Sequence, residues 1–421
     1  MKAAEPAVAT ICAALLIAAS HPGFAHKPIT SPFTFDEDVR PILQRHCVSC
    51  HADGGVAPMS LASYADTVPW AESMRVELVA GHMPPWGIEG GAAQFTNTKP
   101  LSARELNVLL TWAAGGTPQG TATPPPVPDT APRTWPLGEP DRQLQPAREY
   151  VMAADVQDHV EEFTLETGLG ETRWLRAVDV LPGDPTIVRS ATVSLANPPA
   201  GASADAPLAL WVPGDPPVPA AEGTGFELPA GARLTLRVHY KKTWQRERDV
   251  VRDRSTVGLY FTPRPSAALR IATLSARAAE PAPGASTGDA RAPDARRLED
   301  TWPWRSSEPV RAGAAANVIS RTLAAAVSAH AIYANADLQG VTLTVVAVRP
   351  NGTQDTLITF RPQAGWNRRY WFREPRLLPE GTRIEVYSSR EAAALLPPGA
   401  IHRDPTDLKG VQVALDVTRV N

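Results

Sequence analysis

The stretch Cys47-Val48-Ser49-Cys50-His51 decides how the N-terminal part of the chain is read. Two thiols three positions apart, with an imidazole directly after them, have the spacing of a c-type haem attachment site. Each thiol adds to one vinyl group of the porphyrin, and the next side chain reaches the iron as its proximal ligand. Two other chemistries use neighbouring thiols. A redox dithiol of the thioredoxin kind belongs to a βαβ unit, and no such pattern surrounds Cys47. A zinc site built on His46-Cys47 and Cys50-His51 would crowd both imidazoles against the thiolates, and no second ligand pair follows. The expectation is one covalent haem c, bound by Cys47 and Cys50, with His51 on the iron.

The residues before the motif agree with it. Lys2 precedes an apolar run from Ala7 to Ala19, and Gly23 and Ala25 occupy the −3 and −1 positions of a cut after Ala25. Residues 1–25 therefore read as a secretory signal peptide, which implies a periplasmic or otherwise exported protein. No later stretch approaches ~20 apolar residues, so no transmembrane segment is expected in the mature chain. Cleavage would remove Cys12, one of three cysteines, and leave Cys47 and Cys50 alone. An exported chain without a disulfide framework has those two thiols for another purpose. The same cut would expose His26 as a terminal residue, and a terminal His can chelate copper through its amine and ring. An accident of the cleavage site is the plainer reading of His26. With 421 residues the chain should fold as two or three domains. A net charge of −3 with no basic cluster argues against a nucleic-acid partner.

Helical spacing places the haem motif. Asp38 is positioned to cap a helix, Pro41 falls in its first turn, and Val39, Ile42, Leu43 and Cys47 share one face. A second helix is predicted from about Thr67 to Ala80, with Ala71, Met74 and Leu78 inward; Gly81 and Pro84-Pro85 stop it. A third starts at the capping box Ser102 to Glu105, turns Leu106, Leu109, Leu110 and Ala113 inward, and closes at Gly115-Gly116. The sixth iron ligand must come from this region. Met74 lies on a helix face and reads as core. Met59 follows the motif closely, where reaching the far side of a haem is awkward. Met83 lies just past a helix on a proline-stiffened loop that can hold a soft thioether to the iron, so Met83 is preferred over His82 and Met59.

Asp38-Val39-Arg40-Pro41-Ile42-Leu43, Cys47 to His51, Met83-Pro84-Pro85 and Leu101 to Trp112 together resemble the bacterial cytochrome c domains. The resemblance covers residues 34 to about 117 and implies His51 and Met83 as axial ligands, within a small helical haem domain expected over 26–117.

Residues 118–148 form a proline-rich linker, semi-rigid by composition, which Trp135 could pin to a domain surface. Beyond it the pattern becomes short strands. The clearest are 173–181, 186–195, 208–212, 233–240 and 256–262, then 340–348, 354–360, 367–372, 383–388 and 409–417. Residues 276–314 between the sets are rich in Ala, Pro and charge and read as an exposed excursion. A repeat links the two sets. Leu228-Pro229-Ala230-Gly231-Ala232-Arg233-Leu234-Thr235-Leu236 recurs as Leu378-Pro379-Glu380-Gly381-Thr382-Arg383-Ile384-Glu385-Val386. Pro-x-Gly makes a turn, and the alternation after it enters a half-buried strand. The expected architecture is multidomain, α plus all-β: a helical haem domain, then two related β-sandwiches over 149–275 and 315–421.

Trp174-Leu175-Arg176-Ala177-Val178, Arg237-Val238-His239-Tyr240, Val257-Gly258-Leu259-Tyr260-Phe261 and the two proline-glycine turns resemble the copper type II, ascorbate-dependent monooxygenases, the group of peptidylglycine α-hydroxylating monooxygenase. The resemblance implies a jelly-roll-like pair of sandwiches and a two-copper site made of five histidines and a methionine. Here the family's adjacent His pair falls on Arg189 and Ser190. One histidine is kept as His239, the His-x-His falls near Asn335 and Asp337, and the methionine falls near Leu408. Residues 150–421 hold only His159, His239, His330 and His402, and no methionine follows Met152. Copper chemistry is therefore not expected, though three imidazoles, His159, His239 and His330, would be enough for one ion. No Gly-x-Ser-x-Gly elbow, Walker loop or His-Glu-x-x-His is present.

The sequence thus points to an exported monohaem cytochrome that exchanges electrons with a redox partner protein, with no catalytic residues assigned. Two alternatives stay open: a haem-fed copper-dependent monooxygenase, and a docking module whose haem reports redox state.

Overall fold

The computed structural model describes residues 30–85, 87–88, 91, 94–121, 134–196, 198, 206–275, 302–305, 311–312, 318–335, 341–363, 365–390 and 411–420. The signal-peptide region, His26, Asp337, His402 and Leu408 lie outside them. The protein is mostly β, with a small N-terminal helical region and several largely antiparallel sheets.

Three main helices build the N-terminal region: α1 (Arg40–His46), α2 (Ala71–Val79) and α3 (Ala103–Ala114). Helical structure begins before α1, in a π-turn over Phe35–Val39. Asp38 therefore caps from inside, its carboxylate accepting the Thr34 N–H at 2.9 Å. α2 likewise starts later than its periodicity suggests, because Tyr64–Thr67 and Val68–Trp70 form separate short turns first. The capping box of α3 is present in full, with the Ser102 side chain on the Glu105 N–H and the Glu105 carboxylate on the Ser102 N–H. Phe35, Val39, Leu43, Leu109 and Trp112 are fully buried at the centre. The inner face of α3 is thus Val108, Leu109 and Trp112, with Leu106, Leu110 and Ala113 at its margins. The Trp112 indole N–H reaches the Pro118 carbonyl at 3.0 Å, so the start of the proposed linker packs on the helices.

The strands are β1 (Arg142–Leu144), β2 (Tyr150–Met152), β3 (Asp158–Glu166), β4 (Arg173–Leu181), β5 (Val188–Leu195), β6 (Pro207–Trp211), β7 (Thr224–Leu228), β8 (Arg233–Lys241), β9 (Val251–Asp253) and β10 (Thr256–Thr262). They continue as β11 (Ala267–Ser275), β12 (Arg311–Ala312), β13 (Val318–Thr322), β14 (Val327–Asn335), β15 (Val341–Val348), β16 (Gln354–Phe360), β17 (Arg369–Leu378), β18 (Arg383–Arg390) and β19 (Gln412–Arg419).

Their pairing shows a strand-for-strand repeat. One small sheet runs β3-β8-β5-β6, and the other contains β13-β18-β15-β16 in the same order. The large sheet contains β10-β4-β7 and, further along, β19-β14-β17. Each repeat fills one buried core from its part of the large sheet and its small sheet. The proline-glycine turns occupy equivalent places. Each carries the chain from the large sheet to the small one, from β7 to β8 and from β17 to β18. Leu228 and Leu378 are fully buried before the turn. Gly231 and Gly381 adopt φ of +67° and +80°, the left-handed region that glycine enters without a Cβ clash. Their N–H groups donate to Leu169 and Leu323, which are equivalent in turn.

The repeats are not separate sheets. The start of β11 pairs parallel with β7, and its remainder pairs antiparallel with β19, so the large sheet runs through both repeats. The clearest strands of the sequence reading stop short of β11, although its first sandwich runs to 275 and so encloses that strand. That reading missed β3 and β14, whose polar or alanine-rich runs lack clear alternation. β17 continues through Pro375, which an edge strand tolerates because one side of its backbone needs no ladder partner. Within the linker, β1 joins the large sheet beside β10, and Gly258 of β10 lets Trp135 and Pro140 lie against it, where a Cβ would meet the indole at 2.9 Å. The excursion is not wholly exposed. Its residues 276–301 lie outside the described ones, but Trp304 is buried in the second core.

Candidate functional site

The Cys47–His51 stretch leaves the end of α1 as a tight turn. The N–H groups of Cys47 and Val48 donate to Leu43, and those of Cys50 and His51 fold back onto the Cys47 carbonyl at 3.0 and 2.9 Å. Gly55 is required by proximity, since a Cβ there would sit 2.5 Å from the Cys50 carbonyl oxygen. The two thiols are not joined to each other. Burial pushes the Cys47 thiol up to about 12, with Cys50 adding to it, and pushes Cys50 up to about 11. Both ring nitrogens of His46 are engaged, Nδ1 with the Lys99 carbonyl at 3.1 Å and Nε2 with Glu105 at 3.3 Å. The zinc alternative therefore loses a ligand.

His51 is oriented from behind. Its Nδ1 lies 3.3 Å from the Met59 carbonyl, which accepts the Nδ1 proton and leaves Nε2 as the lone-pair nitrogen. Burial lowers its pKa and so favours the neutral ring, the form a metal ligand needs. That bond places the Met59 backbone on the side of the ring away from Nε2. Met74 packs against the helical core. His82 has its Nδ1 3.0 Å from the Glu77 carboxylate. Met83, after Gly81 (φ +70°) has ended the helix, is 39% exposed. The donor types suit a haem c: two uncharged sulfurs at a buried turn, an imidazole whose Nδ1 is held by a carbonyl and whose Nε2 keeps its lone pair, and a soft thioether on a loop.

The site is seated on the β-repeats. Cys50 Sγ lies 3.5 Å from the Pro213 carbonyl, and Gly214 beside it leaves no room for a Cβ, which would meet Ser49 Oγ at 2.7 Å. Arg189 donates to the Val56 carbonyl. Arg368, Asp215 and Asn97 meet where the three parts of the chain converge. Arg368 Nε lies 2.8 Å from the Asp215 carboxylate, and Nη2 donates to the Asn97 carbonyl at 2.7 Å. No sequence signal marks these residues, because each pairs with a partner far along the chain.

The histidines of the copper resemblance are dispersed. His239 holds Asp158 at 2.7 Å, on the face of its sheet opposite His159, which faces Tyr240 across the β3–β8 ladder. His330 is buried in the second repeat against Thr418 at 3.0 Å. The three do not meet, so the three-imidazole copper site is not formed. Arg189 and Ser190 lie on β5, Ser190 directly across from His239. Among the described residues no group of three or more His, Cys, Asp or Glu is arranged to hold a metal ion. Nor, among them, is any helix long and apolar enough to cross a membrane.

No protein-family model matches the chain, and no curated protein matches it. Among solved structures, a putative α-L-fucosidase from Bacteroides ovatus is 9% identical with a TM-score of 0.16, over 65% of this chain and 39% of that one. A mutant of Bacillus subtilis oxalate decarboxylase is 10% identical with a TM-score of 0.13, over 72% of this chain and 86% of that one. A Paenibacillus xanthan lyase is 12% identical with a TM-score of 0.17, over 72% of this chain and 28% of that one. Likeness this slight carries no argument about fold or function.

Proposed function

We propose that the chain is an exported monohaem c-type cytochrome that transfers single electrons to or from a partner protein. The observation that carries this is the bond from His51 Nδ1 to the Met59 carbonyl, beside two unjoined thiols. Such a bond from the ring's other nitrogen fixes the tautomer and the orientation of a metal-bound imidazole. Cys47 and Cys50 would hold the porphyrin as thioethers, which carry no charge and so suit a buried position. His51 and Met83 would take the two axial positions. Bound there, the haem supplies a reversible one-electron couple, and filled axial positions favour electron transfer over oxygen activation.

The β-repeats fit the resemblance to the copper monooxygenases as a jelly-roll-like pair of sandwiches that serves as scaffold. Arg189 stands where that resemblance implies a ligand, and its guanidinium docks the haem-motif loop instead.

The test is direct. Protein from an export-competent host that attaches haem should keep its pigment after denaturation and acid extraction, and Cys47→Ser/Cys50→Ser should lose all of it. Metal analysis should give about one iron per chain. Copper near one equivalent would favour the haem-fed monooxygenase, and unpigmented wild-type protein would remove the cytochrome reading. Met83→Ala should abolish the sulfur-to-iron band at the red edge of the oxidised spectrum.

A further inference from the structure

We propose that the second β-repeat, rather than the helical unit, holds the Met83 loop in place, with Phe95 as the positioning residue. The inference rests on the reading of Met83 as an axial ligand.

Among the described residues, the helical unit holds the start of this loop. The N–H groups of His82 and Met83 reach back to the Glu77 carbonyl at 3.0 and 3.4 Å, the second a long contact. The next described residues turn to the second repeat. Arg361 N–H donates to the Gly87 carbonyl at 2.6 Å, and Gln363 Nε2 donates to the His82 carbonyl at 3.2 Å, one residue from the thioether. Gly87 cannot carry a side chain, since a Cβ would lie 2.4 Å from the Arg361 carbonyl oxygen. Ile88 forms a β-bridge to Phe360 at the end of β16, and Phe95 forms another to Phe372 on β17. β16 and β17 are the last strands of their two sheets. The described residues Gly87, Ile88 and Phe95 to Asn97 therefore lie against the open side of the second repeat and satisfy backbone groups that an edge leaves unpaired.

Phe95 is the anchor of that contact. It is buried in the core of the second repeat, its ring stacked on Phe372 at 5.1 Å and tilted against Tyr370 at 5.6 Å. Around it Thr96 N–H donates to the Trp371 carbonyl at 2.9 Å, and Asn97 Nδ2 donates to the Arg369 carbonyl at 2.7 Å. A ligand carried on a loop closes on its metal at an entropic cost, and fixing the far side of the loop in a rigid core lowers that cost. The β-repeat is then part of the axial-ligand apparatus, acting through Phe95.

Optical spectra of the full haem-loaded chain test this. Phe95→Ala should keep its covalent pigment and far-ultraviolet dichroism, yet lose most of the sulfur-to-iron band and bind carbon monoxide at least tenfold faster when reduced. Ile384→Ala, which empties space in the same core on β18, should lower the melting temperature while leaving the band and the carbon monoxide rate unchanged. If Phe95→Ala does not fold, Gln363→Ala should still raise that rate at least twofold. The inference fails if the foldable variants of the strap keep the wild-type band and rate, or if Ile384→Ala shifts both as far as Phe95→Ala. A wild-type chain with no pigment or no band would instead sink the cytochrome reading itself.

Discussion

The two repeats share a strand order, but the helical unit meets them in different ways. On the first it rests on loop ends, with Cys50 against the Pro213 carbonyl and Val56 held by Arg189. Into the second it inserts a side chain, Phe95, which belongs to the β core more than to the helices. The difference shows how one β frame can take a neighbour by surface complementarity at one end and by a shared core at the other. The second contact should cost far more to break, because burying a large aromatic side chain is worth about 1.5–3 kcal/mol before any cavity penalty.

The point where all three parts converge gives the largest expected effect. Arg368 and Asp215 form a buried ion pair, and Arg368 also holds the Asn97 carbonyl. Arg368→Ala leaves a carboxylate buried without its partner, a change that costs about 3–5 kcal/mol. Urea unfolding should show this as a marked loss of midpoint. The double replacement Arg368→Met/Asp215→Leu should recover most of the loss, because the penalty comes from the stranded charge rather than from the missing attraction. A single replacement that shifts stability by less than about 1 kcal/mol would mean the junction is wet.

A smaller effect compares the repeats directly. Gly231→Ala and Gly381→Ala each force a side chain into the left-handed region, at a cost of about 1–2 kcal/mol. The space around the two differs. A Cβ on Gly231 meets nothing within 4 Å, whereas one on Gly381 comes to 3.3 Å from the Pro350 ring. Thermal melts should therefore rank Gly381→Ala below Gly231→Ala, with both below wild type. The opposite ranking would show that the Pro350 contact does not set the difference between the two turns.

What the sequence made legible follows from where information is local. The proline-glycine turns, the Ser102 capping box and the Cys47–His51 turn are each set by residues within a few positions of one another, and all three are present. β4, β10 and β16 have the bounds that alternation predicts. β3 did not announce itself, because the start of this edge strand carries Asp158, His159, Glu161 and Glu162 on both faces and only Phe163 and Leu165 further along turn into the core. β11 was also missed, and joining the two repeats depends on partners at both ends of the β-region. The same reason hid Phe95 and Arg368. Nothing near them in the chain says that one enters a distant core and the other meets Asp215. Of the candidate site, Cys47, Cys50 and His51 could be named by spacing and Met83 by its loop and its thioether, but the Met59 carbonyl behind His51 and the strap beyond Met83 needed coordinates.

Acid should separate the two kinds of region by the least amount and with opposite signs. Glu105 at the start of α3 accepts from the Ser102 N–H at 2.9 Å and from Arg45 at 2.7 Å, and these bonds hold its carboxyl down to about 2. A depressed acid contributes stability that is present above its unfolded value of 4.5 and is lost as pH falls through 2. Asp416, in the second core, is pushed up to about 6 by burial, against the pull of Arg369, and Asp179, in the large sheet of the first repeat, is pushed up to about 6 by burial as well. Raised acids favour the folded state below their unfolded value of 3.8 and lose that contribution as pH rises through 6. Between pH 6 and pH 2.5 the helical unit should therefore lose stability through Glu105 while the second core gains it through Asp416. Hydrogen exchange at the two pH values, corrected for intrinsic rates, should show falling protection over Leu106–Ala113 and steady or rising protection over β14 and β19. Glu105→Gln should flatten the first trend and Asp416→Asn the second. Uniform loss of protection across both regions would mean that acid acts through overall charge repulsion rather than through these carboxyls.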